Sequence, residues 1–254
     1  MLSEFLSLNV FAFLLVFARL GAALMVLPGF GESTIAPRVR LVFALALAVV
    51  LLPLVAEVLP PIPASPLAVF VLLSGEVFIG LAIGLTARIL LSALQVAGTV
   101  IAYHTGMAAA TMFDPAQGQQ GAIMGAFLTT LGVTLLFLTG MHHVMLTGLA
   151  DSYTVFVPGA GIPFGDLAEI AATLVAQSFR IGLTIAMPVM VVTLLVYVAM
   201  SLIARLMPQI HIFFLALPVQ IGLGIAVMAL TLSAGMLLFL TEFENTIGSL
   251  WLAR

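Results

Sequence analysis

The chain has 254 residues, 63% of them hydrophobic and only 7% charged. Soluble domains run near 45–50% apolar and about 25% charged, so water is excluded as the main solvent and the bilayer is the natural alternative. The net charge is −3, with seven arginines, no lysine and no cysteine. That leaves no basic patch for nucleic acid and rules out disulfides, thiolate metal sites and cysteine nucleophiles.

The N-terminus reads Met-Leu-Ser-Glu-Phe5. It lacks a positive n-region, and the apolar stretch behind it is too long for a signal core. The expectation is a first span rather than a cleaved signal peptide. Six apolar stretches follow in order. They are Phe5 to about Pro28, Leu41–Leu59, Leu67 to about Ala102, Ala122 to about Ala150, Ile170–Ala204 and Ile210–Leu240. Each can cross roughly 30 Å of hydrocarbon at about 1.5 Å per residue. Polar and apolar residues do not alternate, as a barrel would need, so the spans are helices. The expected fold class is all-α, a polytopic membrane protein of about six long, partly kinked hydrophobic helices in hairpins.

The connections carry glycine and proline, which end helices. Gly29 to Pro37 joins the first two stretches and Pro60 to Pro66 the next two. Asp151 to Asp166 and Arg205 to Gln209 follow further on. Arg38, Arg40 and Arg205 lie on one side. Glu4, Glu57, Asp151, Asp166, Glu169, Glu242 and Glu244 lie on the other, with Arg254 against the trend. The positive-inside rule then places both termini outside the cytoplasm. The fifth stretch makes about 52 Å of helix, against a core of about 30 Å. Pro188 and Pro218 should kink the last two stretches. Tilt absorbs part of the excess, and packing against protein outside the bilayer accounts for the rest.

Polar residues at membrane depth call for a physical reason, because each costs at least about 2.5 kcal/mol to insert. Arg19, Glu76, Arg88 and Arg180 are the candidates. Glu76 and Arg88 share a helix but stand about 120° apart in azimuth and about 18 Å apart along the axis. They cannot pair with each other. Ion pairs within the bundle, contacts with another subunit, and snorkelling to headgroups all remain open. Gly80–Gly84 and Gly121–Gly125 are GxxxG patterns that allow close helix approach without naming a partner.

His142 and His143 are adjacent and point about 100° apart, so they form no bidentate metal face. No HExxH, nucleophile elbow or P-loop occurs. Pro163-Phe-Gly-Asp166 lacks the companions an aspartyl protease needs. No catalytic residue, cofactor or metal is expected.

The segment Tyr103 to Gln120 follows a long apolar helix with no charged loop between. It is semi-polar, and Asp114-Pro115 breaks any helix there. Irregular backbone at membrane depth is tolerated only when buried in protein or lining a water-filled cavity. The segment is thus either a surface loop or a re-entrant element. Met107 and Met112 would suit a deformable seal.

These residues resemble the FliR family of flagellar export-gate proteins, with its virulence-secretion relatives of the SctT type. The pieces that carry the resemblance begin with Phe17-Ala-Arg-Leu20, Pro28-Gly-Phe-Gly31 and Pro37-Arg-Val-Arg40. Next come Glu76, Gly80 and Gly84, then Ala109-Ala-Thr-Met-Phe-Asp-Pro115, Leu138-Thr-Gly-Met-His142 and Val157-Pro-Gly159. The Ala-Thr-x-x-Asp-Pro piece is the most specific.

The resemblance implies a structural and gating subunit of the flagellar type III protein-export gate in the bacterial inner membrane. FliP- and FliQ-like subunits would complete the pore, with FlhB- and FlhA-like subunits below it and unfolded substrates in transit. Residues 1–166 would be the FliP-like part, including the pore-loop segment 103–120. Residues 167–254 would be the FliQ-like long hairpin. Gly106, Met107, Ala110, Thr111, Met112, Phe113, Asp114, Pro115 and Gln117 would form the plug. Arg19, Glu76, Arg88 and Arg180 would be buried charges serving helix or subunit packing. A virulence-type export subunit is the alternative. A stand-alone small-molecule transporter using Glu76, Arg88 or Arg180 as coupling charges is a further one, distinguished by transport by the purified chain alone. No inverted repeat with broken helices favours it.

Overall fold

The protein is described by a computed structural model covering residues 2–107, 120–206 and 212–251. All the longer regular elements among these residues are α-helices: α1 (Leu2–Val26), α2 (Pro37–Val55), α3 (Pro66–His104), α4 (Gln120–Leu138), α5 (Met141–Val155), α6 (Phe164–Leu206) and α7 (Ile212–Trp251). A 3-10 turn, Ala56–Val58, extends α2. Proline starts both α2 and α3, where its missing N–H costs nothing.

Four described helical segments are long and apolar enough to cross a membrane: Pro37–Val58, Pro66–His104, Phe164–Leu206 and Ala216–Trp251. The fourth apolar stretch, expected as one span, is instead broken. Ile123–Leu138 and Met141–Val155 meet at 74° and together would make a fifth crossing. The physical reason lies in Gly140, which takes φ +77°. That left-handed conformation ends a helix readily at glycine. The Gly140 N–H reaches back to the Phe137 carbonyl at 3.3 Å, and its own carbonyl accepts from His143 N–H at 2.9 Å. α6 and α7 run on through Pro188 and Pro218, and α7 extends past the expected end at Leu240 to Trp251.

The chain divides into two compact units. The first comprises residues 1–90, 136–174 and 243–254. Its core is set by α1, where Leu15, Val16, Leu20, Ala23, Leu24 and Leu27 are buried at helical spacing. α2 packs on α1. It buries only Ala44, Ala48, Leu51 and Val55, a narrow stripe with exposed apolar residues on either side. Ile79, Ile83 and Ala87 of α3 and Met145, Leu149 and Tyr153 of α5 also belong to this core.

Close crossings in this unit occur at glycine. A Cβ at Gly80 would collide with the Arg19 carbonyl, and one at Gly84 would sit 2.8 Å from the Ala23 carbonyl. The first GxxxG pattern therefore faces α1. A Cβ at Gly148 of α5 would press on the Trp251 indole at 2.5 Å.

The second unit comprises residues 91–135 and 175–242. Its core takes Leu91, Leu94 and Ala97 from α3, Leu128 from α4, Ile181 and Val189 from α6, and Phe239 from α7. Gly98 of α3 meets the Gly125 backbone of α4, and a Cβ at Gly182 of α6 would lie 2.7 Å from the Ala93 carbonyl. Backbones approach this closely only where neither partner carries a side chain in the way.

These crossings predict a sharp contrast between glycines. Gly80→Ala should destabilise the extracted protein by about 1–3 kcal/mol through forced separation of α1 and α3. Gly165→Ala, with nothing within 4 Å of the added carbon, should stay within about 0.5 kcal/mol. Thermal unfolding in detergent compares the two. Equal midpoints would contradict the crossing.

Candidate functional site

The most unusual feature of the first unit is a fully buried arginine. Arg19 stands in the apolar run of α1 with 0% exposure, and Glu76 of α3 is 2% exposed. The small residue at Gly80, one turn beyond Glu76, lets α1 come close enough for the two side chains to meet. The contact is a side-on fork: Arg19 Nε donates to Glu76 Oε2 at 2.6 Å and Nη2 donates to Oε1 at 3.0 Å. Such paired bonds are among the strongest a guanidinium makes.

The remaining donors go to the end of α5. Nη1 donates to the Ser152 carbonyl at 3.1 Å and to Ser152 Oγ at 3.2 Å. Nη2 donates to the Phe156 carbonyl at 2.7 Å. An arginine offers five N–H donors, and here all five have an acceptor. The guanidinium carbon also lies 4.0 Å from the centroid of the Tyr153 ring, a cation–π contact. A buried charge is tolerated only with this degree of compensation.

The other two arginines occupy different environments. Arg88 and Arg180 were expected among the buried charges, yet in this chain their side chains are 44% and 68% exposed. Arg88 Nη1 meets Glu32 Oε1 at 3.3 Å. Arg180 Nη2 meets Glu242 Oε2 at 3.4 Å, and Gln177 Nε2 donates to the same oxygen at 3.1 Å. Each points outward from its helix, so water, lipid headgroups or protein can meet it. Arg40 Nη2 donates to the Glu32 carbonyl at 2.9 Å, so two arginines hold the turn that leaves α1. In that turn Gly29 takes φ +80°, and a Cβ there would collide with the Phe137 ring. Phe30 packs between Phe43 and Phe137, at 5.4 and 5.5 Å between centroids.

Of the segment expected to form a plug, Gly106 and Met107 are described. Gly106 takes φ +75° just past the end of α3, and its N–H reaches the Tyr103 carbonyl at 3.2 Å. A Cβ on it would lie 3.4 Å from Gln220 Oε1 of α7. Thr105, buried beside it, fills the space left by Gly224. The start of the segment is thus anchored against α7 within the second unit. Ala110, Thr111, Met112, Phe113, Asp114, Pro115 and Gln117 lie outside the described residues.

Sequence reasoning singled out Arg19 and Glu76 as separate charges but did not find Ser152, Tyr153 or Phe156. A buried arginine beside a single carboxylate leaves three donors over, which is a signal that backbone acceptors must exist. Nothing in the sequence says which ones. Beside this cluster, Val71, Leu72, Phe78, Ile162 and Phe164 line an apolar groove of about 520 Å³ that Glu76 borders.

Long helices of lipid-compatible composition, closed around a buried ion pair, define a polytopic α-helical membrane protein. Comparison with known proteins makes this specific. Residues 10–246 match the family described as bacterial export proteins, family 1, and the chain belongs to that family. It is 38% identical to the flagellar biosynthetic protein FliR of Caulobacter vibrioides over 225 residues, 89% of this chain and 90% of that one. It is 30% identical to the protein of the same name from Bacillus subtilis over 241 residues, 93% and 92% of the two chains. The Yop proteins translocation protein T of Yersinia pestis is 25% identical over 223 residues, 87% and 85% of the two.

The three arginines should separate in stability. Arg19→Ala leaves a buried carboxylate without its partner and should cost about 3–5 kcal/mol. Arg88→Ala and Arg180→Ala remove exposed pairs and should each cost no more than about 1 kcal/mol. Unfolding of the extracted variants orders them, and an Arg19→Ala protein as stable as Arg180→Ala would sink the assignment.

Proposed function

We propose that the chain is a structural and gating subunit of the flagellar type III protein-export gate. Its place is in the bacterial inner membrane, within the flagellar basal body. The observation that carries this is similarity along nine-tenths of the chain to proteins named flagellar biosynthetic protein. The virulence-type reading has a relative too, in the Yersinia translocation protein, but at 25% identity against 38% for the Caulobacter flagellar one.

The physical character of the chain supports a role inside an assembly. α6 has 43 residues and α7 has 40, which is about 64 and 60 Å of helix. A tilt of about 40° lengthens the path through a 30 Å core only to about 39 Å. Along 194–206 nearly every residue of α6 is exposed in this chain, and Leu194, Leu195, Val198, Leu202 and Leu206 are large and apolar. A helix apolar all round calls for lipid or protein on every side, and its length beyond the bilayer calls for protein. FliP- and FliQ-like subunits are the partners we assign to these faces, with FlhB- and FlhA-like subunits at the same gate. Residues 1–166 take the FliP-like role and 167–254 the FliQ-like role.

In this proposal the chain contributes wall helices and a plug, the plug being residues 106–120. Unfolded substrates pass when it is displaced, and no bond is made or broken by this subunit. Tagging the chain, extracting it in mild detergent and weighing its companions tests the assembly. Stoichiometric FliP- and FliQ-like subunits are expected. Recovery as a lone monomer that transports a small molecule would replace the proposal with the transporter. Deleting residues 106–120 should leave the assembly intact and make the membrane leaky to ions, and wild-type conductance in assembled mutant gates would remove the plug assignment.

A further inference from the structure

We infer that Arg19 is a positioning residue that caps the C-terminal end of α5, and that its pairing with Glu76 serves chiefly to orient it for that task. α5 is an unusual helix in this chain. It has 15 residues, about 22 Å, and it begins at the Gly140 break. It carries His142, His143, Asp151 and Ser152, so its own sequence is less apolar than its neighbours. It ends at Val155, two residues before Val157-Pro158-Gly159, where proline stops any continuation.

The end of such a helix leaves carbonyls without intrahelical donors and carries partial negative charge. One of them, Ser152, accepts the Phe156 N–H at 2.8 Å. The Ser152 and Phe156 carbonyls are also taken by Arg19, at 3.1 and 2.7 Å. The Arg19 fork therefore bridges the last turn of α5 and the first residue beyond it. Three of its five donors serve this end and two serve Glu76. The cation also faces the negative end of the helix dipole and stacks on Tyr153 of the same turn. A simple ion pair would use none of these contacts.

The two views make different demands on the partner of Arg19. If the pair itself were the purpose, replacing both residues with apolar ones of similar volume would be close to neutral, as for many buried pairs. If Arg19 is a cap, that double replacement still strips the Ser152 and Phe156 carbonyls. The inference does not depend on the identity of any partner subunit, because its test reads one helix end directly.

The experiment is amide hydrogen exchange on the full chain, extracted with its native companions, followed in peptides covering 150–160 and, as a control, 15–25 and 72–84. Four proteins are compared: wild type, Glu76→Gln, Arg19→Lys and the double variant Arg19→Met/Glu76→Leu. Glu76→Gln keeps one acceptor for Arg19 but removes the counter-charge, so its effect should be global, with exchange in 15–25 and 72–84 rising at least as much as in 150–160. Arg19→Lys cannot serve both carbonyls and the carboxylate from one ammonium. It should speed exchange at 150–160 by roughly tenfold or more, as loss of a charge-assisted bond predicts. The double variant should do the same, with the control peptides near wild type.

Wild-type protection of 150–160 in the double variant or in Arg19→Lys overturns the inference. So does a Glu76→Gln protein that frays at 150–160 alone, with the control peptides near wild type. Should the double variant not be recovered from the membrane, the two single variants decide. Fraying confined to 150–160 in Arg19→Lys supports the cap, and fraying shared equally with the control peptides counts against it.

Discussion

The first unit is organised around the need to satisfy one cation where water is absent. Burying a lone guanidinium costs more than any single contact returns, so α3 and the end of α5 must both deliver acceptors to Arg19 of α1. This explains several residues together. Gly80 and Gly84 let α3 approach α1, Glu76 is placed one turn before that crossing, and Gly148 lets Trp251 press on α5. Tyr153 closes the face of the guanidinium that its in-plane donors leave open. Arginine suits this position better than lysine, because a planar fork reaches a carboxylate on one edge and backbone carbonyls on the others without changing shape.

Much of this was legible in the residues, and the parts that were not share a cause. The apolar stretches and their proline and glycine punctuation place α1, α2 and α3 to within a few residues, while α6 starts six residues before the expected stretch and α7 runs eleven past it. Insertion cost alone marks Arg19 and Glu76. Their partnership is a tertiary fact, because fifty-six residues separate them and no local spacing links them. The Ser152 and Phe156 acceptors are backbone carbonyls, which every residue carries, so sequence does not distinguish them. The break at Gly140 was hidden for another reason. A single glycine in an apolar run is common in membrane helices, and only its positive φ turns it into a corner. Arg88 and Arg180 followed the same cost argument as Arg19 but face outward, since that argument gives the price of a charge at depth and not the depth itself.

The exposed surfaces follow a different logic from the buried one. Within the second unit, glycines at 98 and 182 bring backbones together much as they do in the first, and Gly224 makes room for the Thr105 side chain. The outer faces of α2, α6 and α7 expose many large apolar residues, interrupted by charges such as Arg180 and Glu244. In a bilayer the apolar solvent rewards no association between such faces, and packing and hydrogen bonds must supply it. Beyond the bilayer water returns, and the same faces gain the full hydrophobic driving force. A helix about twice as long as the hydrocarbon core is thus under two regimes along its length. One part is indifferent to neighbours and the other requires them. That division supplies a physical reason for the long helices to seek protein neighbours beyond the bilayer, where each contact adds to the stability of the folded chain.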